Sequence, residues 1–208
     1  MSSLLTVIES FNRKERFFLV AAALDNPRLR LGRAFRQRLG TALRLDIPSS
    51  ALVAMDYHLD WLWASLCLAR SSAAETVVLR NRGGLVTGHQ EDVDLLVAFE
   101  TGRTTRLILI EAKVETGWSN RQMSSKAGRL RRMFGDDGRG CRGVRPYFVL
   151  MSPRQARDLR SSEWPSWMAQ RGQPVWLELK LPPDRRRVAR CDGSGRTSGT
   201  GRFFRVLS

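Results

Sequence analysis

The chain has 208 residues, of which 42% are hydrophobic and 26% are charged. These values are ordinary for a globular protein and exclude a wholly disordered or collagen-like chain. No apolar run reaches the roughly 18 residues that a membrane-spanning helix needs. We therefore expect a cytoplasmic protein without a membrane segment. The three cysteines are far apart and predict neither a zinc site nor a disulfide framework.

The positive charge of the chain is concentrated in its second half. Residues 1–100 contain 12 basic and 11 acidic side chains, a net of +1, whereas residues 101–208 contain 23 and 9, a net of +14. Thirty-one of the 35 basic residues are Arg, whose guanidinium can bind a phosphate through two hydrogen bonds. A general preference for Arg codons would not place the excess in one half. We therefore expect a polyanionic partner, most simply nucleic acid.

The N-terminal third has the pattern of helices. Residues 11–25, 28–44 and 51–70 carry apolar side chains at helical spacing, and Pro27 ends the first of these segments. Residues 3–9 are predicted to form a short turn opened by Ser2 or Ser3. The segment 51–70 is the most apolar of the three helical segments. We predict a helical addition over residues 1–50, followed by one domain over residues 51–208.

Strands are predicted after the third helical segment. Short apolar, β-branched runs occupy residues 76–80, 92–99 and 105–114, and the turn between the last two predicts an antiparallel hairpin. A helix is then predicted over residues 119–134, with Ser119 or Asn120 at its start, and a fourth strand over residues 144–151.

The C-terminal part has weaker signals. A short helix is predicted over residues 161–170 and a fifth strand over residues 175–181. The tail contains basic and apolar runs on either side of a glycine-rich stretch at residues 193–201. We interpret it as a basic hairpin or loop.

Charged residues stand at the end of the third predicted strand. Residues 107–110 are apolar on both faces, as in a central strand, but Glu111 and Lys113 follow on one face. Such charges are costly in a core unless they are paired or bind a metal ion. On the preceding strand Asp92 and Asp94 share a face, and the hairpin can bring Asp94 beside Glu111. Two neighbouring carboxylates indicate a site for a divalent cation.

This pattern resembles a known family. Asp94 followed by Glu111-x-Lys113 on an apolar strand is similar to the motif of the PD-(D/E)XK nuclease superfamily, which has the restriction-endonuclease-like fold. Its core order of helix, three strands, helix and strand resembles the order predicted over residues 51–151. The resemblance implies an α/β fold with a mixed central sheet flanked by helices. The N-terminal helical addition and the basic C-terminal hairpin or loop lie outside this core. The motif's Pro is absent, since Val93 precedes Asp94.

The resemblance also implies an activity and a cofactor. A member of this superfamily hydrolyses phosphodiester bonds of nucleic acid with Mg²⁺ or Mn²⁺, and DNA is favoured over RNA here. By this resemblance Asp94 and Glu111 bind the metal, Lys113 stabilises the charge that develops on the phosphate, and Gln122 matches a Gln early in the second core helix. Three further residues are left open as members of the site, Asp92, Asp60 and Lys126, with Asp56 and Glu75 as alternatives to Asp60.

Basic residues outside this motif are candidates for binding phosphates. They lie on the second core helix and ahead of the glycine-rich tail: Arg129, Arg132, Arg185, Arg186 and Arg187. A homodimer is left open. The alternative to a nuclease is a catalytically inactive protein that retains the fold and binds nucleic acid or a partner protein.

Overall fold

The computed structural model describes residues 3–12, 14–70, 78–89, 91–114, 117–156, 158–182 and 185–207. The helices are α1 (Leu4–Phe11), α2 (Glu15–Ala23), α3 (Arg33–Leu43), α4 (Leu59–Leu68) and α5 (Asn120–Phe134). The strands are β1 (Leu52–His58), β2 (Asp92–Thr101), β3 (Thr104–Ala112), β4 (Val144–Ser152), β5 (Ala169–Gln170), β6 (Gln173–Glu178), β7 (Arg187–Cys191) and β8 (Phe203–Leu207). Among the described helices, none combines the length and apolar composition that crossing a membrane requires.

The larger sheet is mixed and has six strands in the order β1-β2-β3-β4-β6-β5. The pairs β1–β2 and β2–β3 are antiparallel, whereas β3–β4 and β4–β6 are parallel. The predicted hairpin is confirmed, with Leu95 opposite Ile110 and Gly102 in its turn at a φ of 58°. Helix α5 supplies the crossover that a parallel β3–β4 pair requires. The structure is therefore of the predicted α/β class.

The strand β3 lies at the centre of the core, as its apolar sequence predicts. Residues 107–110 are at most 2% exposed. Leu107 and Leu109 belong to the cluster that contains the apolar side of α5, which includes Met123 and Leu130. The predicted helix at residues 119–134 is confirmed, and Ser119 caps it by accepting a hydrogen bond from the backbone N–H of Gln122.

The helix predicted over residues 51–70 is wrong in its first part. Residues 52–58 form β1, which pairs with β2 from Leu52 opposite Ala98 to His58 opposite Asp92. Asp56 has a φ of 46°, which a right-handed helix does not allow. Hydrogen bonds to a strand distant in sequence therefore override the helical spacing of the apolar residues. Helix α4 begins only at Leu59, so it follows β1 and precedes β2 along the chain.

Two smaller predictions also need correction. Of the strand predicted at residues 76–80, residues 76 and 77 lie outside the described residues, and residues 78–80 have no regular structure; Val78 is 98% exposed. Residues 161–170 form no α-helix but a 3₁₀ turn, Ser166–Met168, followed by β5. Pro165 disfavours helical backbone at the residue before it, and the apolar side chains there are buried without a helix.

The chain divides into two compact units, residues 1–178 and residues 179–208. In the first unit, Ile8 of α1 lies in the same apolar cluster as Leu96 and Leu109 of the sheet, so the predicted N-terminal addition shares the core. The second unit contains the antiparallel pair β7–β8, with Arg187 opposite Leu207 and Cys191 opposite Phe203. Of the two forms predicted for the basic tail, the structure has the hairpin.

Candidate active site

A polar pocket of about 630 Å³ opens where β2 begins, β3 ends and α5 begins. Its lining comes from these three elements and the residues beside them: Glu91, Asp92, Asp94, Glu111, Lys113, Ser119, Arg121, Gln122, Met123, Ser125 and Lys126. The pocket brings together Asp94, Glu111, Lys113 and Gln122, the four residues that the sequence suggested for catalysis. Two of the three further candidates, Asp92 and Lys126, line it as well.

Asp94 and Glu111 lie on neighbouring strands. The β2–β3 register with Leu95 opposite Ile110 places Asp94 opposite Glu111 when it is continued by one residue. The carboxylate of Asp94 accepts a hydrogen bond from the backbone N–H of Ala112 at 2.6 Å. This bond ties Asp94 to the end of β3 at the point where the regular pairing of β2 and β3 stops. Both carboxylates therefore line one pocket at one end of the hairpin.

Glu111 is buried and paired with a buried lysine. Glu111 is 7% exposed and Lys126 is 6% exposed. The Nζ of Lys126 lies 2.5 Å from Oε2 of Glu111. The same Nζ donates to the backbone carbonyl of Asp92 at 2.5 Å. Burial raises the pKa of the Glu111 carboxyl above its usual value, although Lys126 and Lys113 act in the opposite direction. Lys126 thus supplies the positive charge that a buried carboxylate requires.

Lys113 and Gln122 flank this ion pair. The backbone N–H of Lys113 donates to the carbonyl of Met151 at 2.9 Å, which extends the parallel pairing of β3 with β4. Its half-buried side chain lines the pocket. Gln122 is exposed in the first turn of α5, and Lys126 follows one turn later on the same side of the helix. Backbone N–H groups at such a helix start favour negative charge.

Asp92 contributes to the pocket mainly through its backbone. Its carbonyl holds the Lys126 ammonium, and its carboxylate lies 3.7 Å from Nζ of Lys14. Asp92 also lies opposite His58 in the β1–β2 register. Asp94 therefore has the closer link to the end of β3, whereas Asp92 is engaged by a lysine from outside the pocket lining.

Asp60 does not line the pocket and has another set of partners. Its carboxylate accepts hydrogen bonds from the backbone N–H groups of Thr87 and Gly88, at 3.1 and 2.8 Å, and pairs with Arg129. Burial alone would raise the pKa of Asp60, but these hydrogen bonds and the guanidinium lower it overall. Asp60 therefore stabilises the loop that leads into β2.

The structure corrects the surface position predicted for Arg129. This residue is only 3% exposed, and its guanidinium contacts Asp60, Glu91 and the backbone carbonyl of Leu85. An incoming phosphate cannot reach a group enclosed in this way. No local sequence pattern indicates this network, because its members are separated by up to 69 positions along the chain.

The other arginine candidates are accessible to different degrees. Arg132 is exposed on α5, where Nη1 donates to the carbonyl of Gly83 at 3.1 Å. In the second unit, Arg186 and Arg187 are exposed and Arg185 is half-buried. Their contact with nucleic acid stays a prediction.

Mg²⁺ and Mn²⁺ prefer carboxylate and water oxygens as ligands, and the lining of the pocket offers carboxylates. No group of three or more His, Cys, Asp or Glu side chains arranged to hold a metal occurs among the residues that the structure describes. Mg²⁺ is, however, commonly held by one or two carboxylates and completes its shell with water. Asp94 and Glu111 meet this requirement, so the residues present fit such an ion.

Comparison of the chain with protein-family models, with curated proteins and with solved structures gave no match.

Proposed function

We propose that the protein is a metal-dependent nuclease of the PD-(D/E)XK type that hydrolyses phosphodiester bonds of nucleic acid, with DNA as the favoured substrate. The observation that carries this proposal is the pocket in which Asp94 and Glu111, from neighbouring strands, meet Lys113 and Lys126. An acidic pair that includes the buried Glu111, held beside the buried Lys126 at a strand end, is costly to maintain without a function.

The topology of the first unit supports the same proposal. With β1 as the first strand, the order is helix α3, three antiparallel strands, helix α5 and the parallel strand β4, and α4 is inserted after the first strand. This order resembles the superfamily's core order of helix, three strands, helix and strand, and the likeness supports the proposal. Its first helix and first strand are not those predicted from the sequence. The motif residues stand at the ends of the second and third strands of this order.

The charge of the pocket supports a requirement for a divalent cation. Its lining contains four carboxylates, from Glu91, Asp92, Asp94 and Glu111, and three cationic side chains, so that its formal charge is −1. A phosphodiester is repelled by such a pocket. One divalent cation changes the sum to +1 and makes the approach of a phosphate favourable.

In the proposed mechanism, the protein positions charge around one scissile phosphate. Asp94 and Glu111 would hold Mg²⁺ or Mn²⁺, which supplies a Lewis acid and an activated water when bound. Lys113 presents its ammonium on the same side of β3 as Glu111 and stabilises the negative charge that develops on the phosphate. Lys126 keeps the buried Glu111 ionised and oriented, and Gln122 donates a hydrogen bond at the mouth of the pocket.

The Lys126–Glu111 ion pair favours one alternative function. Because Lys126 already neutralises Glu111, the pocket can persist without a metal ion, as in a protein that binds nucleic acid without cleaving it. The two functions differ in their response to metal. A nuclease cleaves only when Mg²⁺ or Mn²⁺ is present, whereas the alternative predicts equal binding and no cleavage with or without it.

The experiment is incubation of the protein with plasmid, linear duplex and single-stranded DNA in Mg²⁺, Mn²⁺ or EDTA. The proposal predicts cleavage with metal, none in EDTA, and loss of cleavage in Glu111→Gln. The matched control is Glu100→Gln, which changes an exposed glutamate at the opposite end of the same hairpin. Cleavage that survives in Glu111→Gln at the rate of the control would refute the proposal.

A further inference from the structure

One face of the C-terminal hairpin exposes large apolar side chains. Residues directly opposite each other in an antiparallel pair lie on the same face, which here joins Val188 with Val206 and Arg190 with Phe204. Val188 is 70% exposed, Phe204 71% and Val206 54%. Two strands alone rarely make a stable sheet in water, and an apolar face of this kind marks an interaction site.

The other face of the hairpin differs. It carries Cys191 and Phe203 opposite each other, and Cys191 is buried. The ring of Phe203 lies over Gly193, where an added Cβ would come within 3.3 Å of it. Phe203 is nevertheless 59% exposed, against 71% for Phe204, so both phenylalanines are largely exposed and Phe204 more so.

The charge around this face is strongly positive. Residues 179–208 contain eight basic and two acidic side chains, a net of +6. Arg190 lies directly across from Phe204, and its Nε donates to the carbonyl of Gly201 at 2.5 Å. This bond holds the guanidinium near Gly201 and uses one of its five N–H donors, so the others can bind a phosphate.

The charge selects among the partners that could cover the face. A second copy of the chain would bring two Arg190 guanidiniums and two units of +6 together, which is repulsive. Insertion of this face into a lipid surface would carry Arg190, one of its four residues, into apolar surroundings, which is costly for a charged side chain. Duplex DNA matches the arginines but keeps the faces of its bases stacked inside the helix. A single strand offers both phosphates and free base faces.

We propose that the face formed by Val188, Arg190, Phe204 and Val206 binds single-stranded nucleic acid, with a base stacked on Phe204 and the adjacent phosphate held by Arg190. Proteins that bind single strands without reading their sequence combine aromatic platforms with cationic groups in this way. Such binding requires no metal ion and no cleavage, so it stands independently of the proposed nuclease activity.

The test is fluorescence anisotropy of the full chain with a labelled oligothymidylate of about 20 nucleotides, measured in EDTA. Phe204→Ala is expected to weaken binding by about 5-fold to 150-fold, the equivalent of about 1–3 kcal/mol for one stacked base. Phe204→Trp should keep the affinity, whereas Phe204→Leu should not, because leucine retains apolar area but has no aromatic face. Phe18→Ala, which removes an exposed ring from α2, is the matched control.

Several outcomes would overturn this proposal. Unchanged affinity in Phe204→Ala, or wild-type affinity in Phe204→Leu, would show that no base stacks on the ring. An equal loss of affinity for a duplex of the same length would show that the face does not select single strands. Concentration-dependent dimerisation that Phe204→Ala abolishes would assign the face to a second copy. Binding to phosphatidylglycerol vesicles that Phe204→Ala abolishes would assign it to a lipid surface.

Discussion

The ion pair between Lys126 and Glu111 makes a sharp prediction about stability. Replacing Lys126 by Met keeps a long side chain of similar volume but leaves Glu111 buried without a counter-charge. Since both residues are less than a tenth exposed, breaking the pair should cost about 3–5 kcal/mol of unfolding free energy. The double variant Glu111→Gln/Lys126→Met should recover most of this loss, because it leaves no charge buried.

The assay is urea unfolding in EDTA followed by circular dichroism. The matched control is Arg139→Met, since Arg139 pairs with Asp137 at 3.9 Å and both side chains are largely exposed. This control should change the unfolding free energy by about 0–1 kcal/mol. A loss in Lys126→Met no larger than in the control would refute the view that Lys126 is what neutralises Glu111.

The pH dependence of this loss gives a second check. Burial raises the pKa of Glu111 in the folded state above its usual value, so the folded protein binds this proton more tightly than the unfolded chain does. The stability that Glu111 contributes is therefore lost as pH rises from its pKa in the unfolded chain through its pKa in the folded protein. It is regained as pH falls. Removal of the Lys126 charge raises the folded pKa further. The difference between wild type and Lys126→Met should therefore shrink as pH is lowered from about 8 to about 5.

Three other predictions follow from the structure. Lys113→Ala should abolish metal-dependent cleavage of plasmid DNA while the circular dichroism spectrum and unfolding midpoint stay unchanged; cleavage near the wild-type rate would place the catalytic centre elsewhere. Arg129→Met should lower the unfolding free energy by about 3–5 kcal/mol because it leaves Asp60 without its cation. The control Arg132→Met, which changes an exposed arginine, should cost about 0.5 kcal/mol or less. Equal losses of unfolding free energy in urea would contradict the view that Arg129 neutralises Asp60. Alanine at residues 185–187 should make the salt dependence of duplex binding shallower by up to about one unit for each residue in contact, and an unchanged slope would remove these residues from the binding surface.

The strands and helix that carry the candidate site could be predicted from local sequence. The β2–β3 hairpin has a strong turn and two apolar runs, and α5 has a capping serine and a clear apolar stripe. The turn of the hairpin sets the register, Thr101 opposite Thr104, that places Asp94 opposite Glu111. The hairpin and the helix could be predicted because each depends on residues that are close together in the chain.

The first strand of the sheet could not be predicted in the same way. Residues 52–58 have apolar side chains that also fit a helix, and their strand pairing depends on β2, which is distant in sequence. The same limit applies to Arg129 and Lys126. Both look like solvated cations on α5, and only the packing of α5 against the sheet shows that they are buried partners of Asp60 and Glu111.

The most direct test of the proposed site is a calorimetric titration of the wild-type protein with Mn²⁺ at neutral pH. The wild type is expected to bind Mn²⁺, and Asp94→Asn should weaken this binding strongly, since asparagine can still accept the hydrogen bond from Ala112 but no longer offers a charged ligand. Asp92→Asn, two residues away on the same strand, should retain the binding. The proposed metal site is contradicted if the wild type binds no Mn²⁺, or if Asp94→Asn binds it as tightly as the wild type.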